Sequence, residues 1–235
     1  MNEHPIHLVT HDDLRRSRLT VFFRALLAIP HVIWLQLWSY VIVVVAIIGW
    51  VAALITGSLP APLHRFMAAY LRYDIHVRSY TLLIANPFPG FVGREGSYPL
   101  DLIVAGPQRQ NRWTVLFRLL LVIPAAMISA VYGYLVLVVA ILGWFAALAT
   151  GRMPMGMRDA GALGLRYVAQ TAGYALLLTG SYPYSGPTAA AATKLVPPTG
   201  PTTPQAPTDA PSADPAATAF ASSDPASFGS QPTPP

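Results

Sequence analysis

Between Leu19 and Gly57 the chain reads LTVFFRALLAIPHVIWLQLWSYVIVVVAIIGWVAALITG, and no Lys, Arg, Asp or Glu interrupts it after Arg24. The pattern returns between Trp113 and Gly151 as WTVLFRLLLVIPAAMISAVYGYLVLVVAILGWFAALATG. An apolar run of about 18 residues already suffices to cross a bilayer, and each of these is roughly twice as long. As one straight helix each would extend about 58 Å, against a hydrocarbon core of about 30 Å. A hairpin of two membrane helices therefore suits each run better than a single span. The weakest membrane residues sit at the midpoint, Gln36, Trp38, Ser39 and Tyr40 in the first run and Ser129, Tyr132, Gly133 and Tyr134 in the second. Arg15, Arg16, Arg18 and Arg24 stand before the first run, and Arg65, Arg72 and Arg78 after it. A return to the cytoplasmic side keeps both clusters on the favoured side. Against the hairpin, the first run lacks Gly or Pro at its proposed turn, so one tilted span stays open.

The residues around the runs predict the remaining elements. Ala46, Gly49 and Ala53, with Ala140, Gly143 and Ala147, recur at spacings of three and four and share one helix face. They predict a packing seam between repeats, or only the ordinary tolerance of membrane helices for small residues. Thr56-Gly57 and Thr150-Gly151, followed by Pro60 and Pro154, predict helix stops. The segments 61–85 and 155–179 read as amphipathic helices lying at the cytoplasmic interface, with a bilayer crossing also conceivable for 155–179. HPIHLV (4–9) and YPLDLIV (98–104) alternate after a proline and suit edge strands or extended lead-ins. After about Ser185 the composition turns to Pro, Ala, Thr and Ser, which predicts a disordered tail.

Shifting the sequence by 94 positions lays it on itself without a gap: Arg18 on Arg112, Pro30 on Pro124, Trp50 on Trp144, Tyr80 on Tyr174. Between His4 and Pro89 about 33 of 86 positions are identical, so the chain is a tandem duplication. The expected organisation is a membrane repeat over 1–89, a linker over 90–97, a second repeat over 98–184 and the tail over 185–235. The expected fold is an all-α integral membrane protein. Each repeat would hold a long hydrophobic helical hairpin, an interfacial amphipathic helix and a short extended lead-in.

Composition agrees: 54% of residues are hydrophobic and only 11% charged, where soluble proteins have about 25% charged. The net charge of +5 could suggest nucleic acid. The arginines bracket the apolar runs instead, which is the pattern of membrane orientation, and no nucleic acid partner is expected. Without cysteine there is no disulfide, iron–sulfur cluster or thiolate metal site. No cleavable signal peptide is expected, because the first residues mix acids and histidines and the first apolar run far exceeds an h-region.

FRALLAIPH (23–31), GWVAALITGSLP (49–60), LRY (71–73) and YALLLTGSYP (174–183) resemble a bacterial membrane family, the domain of unknown function 4389. An R-x-x-L-x-I-P-H opening, a W-F-x-x-L-x-T-G-x-x-P centre and a Y-x-L-L-L-x-x-x-Y-P close recur in that family. The resemblance covers about 4–89 and 98–184 and leaves the tail unmatched. Repeat 2 departs at Ala125, where the family has histidine, and repeat 1 closes on Asn86-Pro87-Phe88-Pro89 rather than Tyr-Pro. The resemblance implies a multi-pass membrane domain and supplies no activity.

All six histidines lie in repeat 1. His4, His7 and His11 could gather a metal, but their counterparts Tyr98, Asp101 and Ala105 could not, so no metal and no cofactor is expected. His31 reads as a histidine satisfied by a backbone carbonyl, with a proton relay as the alternative. Arg24 and Arg118 lie inside the apolar runs, and Arg72 and Arg166 each precede a tyrosine. All four are predicted to snorkel to lipid headgroups as anchors, the alternative being a functional intramembrane charge. No acidic residue recurs in both repeats and no catalytic motif is present, so no enzyme is expected. The expected function is a non-enzymatic scaffold of the cell membrane that binds anionic lipid or an unnamed protein partner, with cytoplasmic termini. The alternative is a small-solute transporter or channel with its pathway between the repeats. A wet polar seam would favour the transporter, a dry packed one the scaffold.

Overall fold

The computed structural model describes residues 4–10 and 17–184. The tail, His11, Arg15 and Arg16 lie outside the described residues. Both apolar runs are helical almost throughout. α1 spans Arg18–Thr56, and its counterpart is the short α3 (Arg112–Leu116) followed across Phe117 by α4 (Arg118–Thr150). The predicted hairpins therefore do not form. Nothing at the midpoint breaks a helix: Ser39 Oγ turns back to donate to Gln36 O at 2.7 Å, and Pro30 and Pro124 are accommodated within their helices. Two of the aromatic residues that marked the midpoint, Trp38 and Tyr132, serve packing, while Tyr40 and Tyr134 are exposed. Trp38 lies against Tyr70 and Tyr73, both at 5.7 Å between ring centroids, and Tyr132 against Tyr167 at 5.0 Å. Among the described residues two helices, rather than the four expected, are long and apolar enough to cross a membrane.

The helix stops form as the sequence suggests. Gly57 (φ 79°) and Gly151 (φ 72°) adopt the left-handed conformation and donate their N–H groups to Ala53 O and Ala147 O. A Cβ would be strained there. α2 (Ala61–Thr81) and α5 (Met155–Ala175) follow. Both were expected at the membrane interface, yet they form the middle of the protein, packed on each other and on the long helices. Met67, Leu71, Tyr73, Ile75, Leu165, Tyr167, Ala169 and Tyr174 are buried. Their polar residues misled the reading, because Arg72, His76 and Gln170 find partners within the protein rather than at a lipid surface.

The chain is not all-α. The two lead-ins, β1 (Ile6–Thr10) and β2 (Leu100–Val104), pair antiparallel. Leu8 faces Leu102, positions equivalent under the duplication, so a pseudo-two-fold axis passes between them. The same symmetry governs the long helices. Trp50 Nε1 donates to Val115 O at 2.9 Å and Trp144 Nε1 to Val21 O at 3.1 Å. Each helix start thus meets the other helix's last turns, and the two long helices run antiparallel.

At their glycines the small-residue faces receive side chains of their own repeat, while Ala147 also clusters with Val21 and Leu83 of the other. A Cβ on Gly49 would lie 2.7 Å from Leu59 Cδ1, and one on Gly143 would lie 2.6 Å from Met153 Cε. Ala53, Ala140 and Ala147 are buried and Ala46 half-buried beside them. Each seam receives the second residue after its own glycine stop, which the tight turn places back on the helix. Elsewhere α1 is apolar on every face and largely uncovered, with Leu26, Ile33, Val43 and Ile55 exposed.

Candidate functional site

α2 and α5 end in the same unusual way. Leu83 (φ 61°) and Leu177 (φ 62°) take the left-handed conformation that usually falls to glycine. Ile84 N–H then donates to Ser79 O, and Leu178 N–H to Gly173 O, both at 2.9 Å. The conformation costs about 1–2 kcal/mol, and burying a leucine side chain returns about 1.5–3 kcal/mol. Leu83 and Leu177 are both buried.

The carbonyls at these ends are gripped from the long helices. Arg24 Nη1 donates to Tyr80 O at 2.8 Å and Ala85 O at 3.1 Å, and Nη2 to Asn86 Oδ1 at 3.1 Å. Arg118 Nη1 donates to the equivalent Tyr174 O at 2.6 Å and Thr179 O at 2.9 Å, and Nη2 to Gln110 Oε1. Each guanidinium also lies over a tyrosine ring, Arg24 over Tyr80 at 4.4 Å and Arg118 over Tyr174 at 4.2 Å. A helix C-terminus carries partial negative charge and unpaired carbonyls, so a forked cation satisfies it. These arginines are therefore internal clamps rather than headgroup anchors: Arg24 is 2% and Arg118 1% exposed. Arg72 and Arg166 are likewise buried.

Arg72 belongs to a cluster that exists in one repeat only. Its Nε donates to Leu102 O at 2.9 Å, Nη1 to Gly93 O at 3.1 Å and Nη2 to Glu95 at 3.0 Å. Asp101, on β2, accepts from His76 Nε2 at 3.0 Å and from the N–H of Gly96, and lies 3.6 Å from Arg72 Nε. Burial pushes His76 below its ordinary value of 6.5, and Asp101 only partly opposes this. The imidazole is therefore neutral at pH 7 and donates to the carboxylate. At the symmetry-equivalent place stand Arg166 and Gln170 of repeat 2 and His7 from the lead-in of repeat 1, just as Asp101 comes from the lead-in of repeat 2. Gln170 bonds neutral backbone instead, donating to Ile6 O and accepting from Tyr184 N–H, both at 3.1 Å.

Sequence reasoning passed over Asp101 because no acid recurs between repeats. The available signal was the one-turn spacing of Arg72 and His76, together with an acid set between two leucines in a strand. His31 also differs from expectation. Its partner is Tyr73, whose hydroxyl lies 2.7 Å from Nδ1, rather than a backbone carbonyl. Burial pushes Tyr73 up to about 12, so it keeps its proton. Phe91 stacks on the same imidazole at 4.4 Å and Phe88 meets it edge-on at 4.5 Å. His4 Nδ1 accepts from Ile6 N–H at 3.1 Å. Among the described residues no three His, Cys, Asp or Glu side chains gather for a metal.

The segment 90–97 lies directly on α2, since a Cβ on Gly93 would collide with Ala69 O and Tyr73 N. Between this segment and α2 opens a cleft of about 650 Å³, walled by His64, Arg65, Arg72, Arg94 and Glu95 among small apolar residues. It offers positive charge and no nucleophile with a base beside it, so the arrangement suits binding.

The sequence model of one protein family, Domain of unknown function (DUF4389), matches the chain twice, over residues 18–92 and 112–185. No curated protein and no solved structure matches it.

Proposed function

The chain belongs to the family of domain of unknown function 4389 through both of its repeats, and from that premise we propose that it is a non-enzymatic, multi-pass scaffold of the bacterial cell membrane. The observation that carries this reading is the surface of α1 and α4. Phe22, Leu26, Ile33, Val43 and Ile55 on one, and Leu119, Val131, Leu137 and Phe145 on the other, are exposed. A helix apolar on all sides belongs inside protein or lipid, and little of these two lies inside protein. Lipid is then the solvent that covers them. Because α1 and α4 run antiparallel, two crossings return the chain to its starting side. We take this side, where Arg18 opens α1 and Arg152 follows α4, as the cytoplasmic one.

A scaffold is favoured over a transporter by the seams. Leu59 and Met153 pack against Gly49 and Gly143, so the seams are closed by apolar side chains at these two positions. The buried cations of α1 and α4 serve helix ends rather than a solute. Alkaline carbonate extraction of bacterial membranes should leave the chain in the pellet, and proteoliposomes should be no leakier to small ions and metabolites than protein-free vesicles. Release by carbonate would remove the membrane reading. Saturable flux of a solute would put the transporter ahead.

A further inference from the structure

We propose that the cleft between α2 and the 90–97 segment binds a phosphate-bearing anion, with Arg65, Arg72 and Arg94 as its cationic wall and Glu95 as the internal occupant that the anion displaces. In its lipid form this rests on the membrane reading above.

Arg72 is held ready for such a ligand. Two of its donors are fixed by Leu102 O and Gly93 O, which aims the remaining Nη2 at Glu95. The two side chains differ sharply in exposure, 8% for Arg72 and 62% for Glu95. A carboxylate that wet is held weakly, while the buried guanidinium is held in place by its two carbonyls and leaves Nη2 to donate to an incoming oxygen. A phosphate group offers the same oxygens with more charge. Arg65 and Arg94 are exposed at the rim, so the wall carries three cations against Glu95, with Asp101 behind Arg72 at 3.6 Å.

The apolar part of the lining fits an amphiphile. Ala61, Ala68, Val104 and Pro107 complete the cleft, and Ala61 begins α2 just beyond Gly57, where the apolar α1 stops. A lipid phosphate would stand at such a helix end. Repeat 2 lacks the charge: Asp159 replaces Arg65 and pairs with Arg158 at 2.7 Å. The site thus belongs to repeat 1 alone.

The test uses the full chain in neutral detergent, titrated separately with phosphatidylglycerol and with inorganic phosphate, and read by native mass spectrometry. Phosphatidylglycerol should be retained. Arg65→Ala and Arg94→Ala should each weaken retention about tenfold, the worth of one charged hydrogen bond. Glu95→Gln should strengthen it, and thermal stability without ligand should change little in the two arginine variants. Inorganic phosphate bound with the same sensitivity to these variants would support the site with free phosphate as its occupant. Retention indifferent to the double arginine variant would overturn the site, and weaker retention by Glu95→Gln would overturn the displacement. Flotation with pure phosphatidylcholine vesicles reports membrane insertion separately, so a failed membrane reading is distinguishable from a failed anion site.

Discussion

Arg24 and Arg118 grip Tyr80 and Ala85 in one repeat and Tyr174 and Thr179 in the other, carbonyl for carbonyl. One level away the correspondence ends. Arg72 and His76 both meet Asp101, and Arg72 also meets Glu95, while the symmetry-equivalent residues are Arg166, Gln170 and His7. What both repeats keep is the set of contacts that closes the fold: the clamp, the glycine stop, the seam and the exchanged tryptophan hydrogen bonds. What only one of the two equivalent places carries is a buried histidine–aspartate pair and a cationic cleft. Duplication supplied a frame twice, and the two copies of it hold different charges.

The largest expected effect tests whether the clamps are one device used twice. Arg24→Ala and Arg118→Ala should each destabilise the protein by about 3 kcal/mol, because each strands buried carbonyls. Thermal unfolding in detergent would measure this. Lysine at either position should recover little, since a point charge cannot fork between two carbonyls. A loss at one site and not the other would break the equivalence.

Asp101→Asn probes the element without a counterpart. Removing the carboxylate leaves His76 without its acceptor's charge and Arg72 with only Glu95, at a cost of about 2 kcal/mol. His7→Asn, at the symmetry-equivalent position, should cost much less. Equal losses would mean that strand pairing, rather than charge, is being disturbed.

The seams should differ by side-chain flexibility. Gly49→Ala forces the branched Leu59 aside, whereas Gly143→Ala meets Met153, whose thioether end adapts. Overpacking costs about 1–3 kcal/mol in a rigid core, so Gly49→Ala should fall in that range and Gly143→Ala below it. Unfolding midpoints of the two variants decide the order.

The smallest effect is the pH dependence, and it belongs to repeat 1. Burial lowers His64 and His76 from 6.5, so the folded chain binds these protons less readily than the unfolded chain. Stability from this source is full above 6.5 and is lost as the pH falls below it. His76→Gln, the residue of repeat 2, should flatten the decline in melting temperature between about pH 7 and about pH 5. An unchanged slope would show that His76 does not contribute.

Reading residues in order was sufficient for local and periodic features. The duplication, the apolar runs, the Thr-Gly stops, the extended lead-ins and the small-residue faces each depend on a few neighbours or on a fixed spacing. Hydrophobicity and backbone preference act at that range, so these features were legible. The midpoint of α1 was misjudged because Gln36, Ser39 and Tyr40 are weak membrane residues without being helix breakers. Hydropathy speaks of the solvent around a helix and not of its continuity.

Partners were decided only by the tertiary structure. Arg24 reaches acceptors at Tyr80 and Ala85, and Arg72 reaches Asp101 and Glu95, all far along the chain. An arginine in an apolar stretch must be neutralised by something. Headgroup phosphate and a neighbouring helix's carbonyls satisfy that need equally in one dimension. Which of them lies within 3 Å depends on how α1 crosses α2 and how the two strands pair on the pseudo-two-fold axis. The requirement for a partner is written in the residue type, and the identity of the partner is a property of the packed chain.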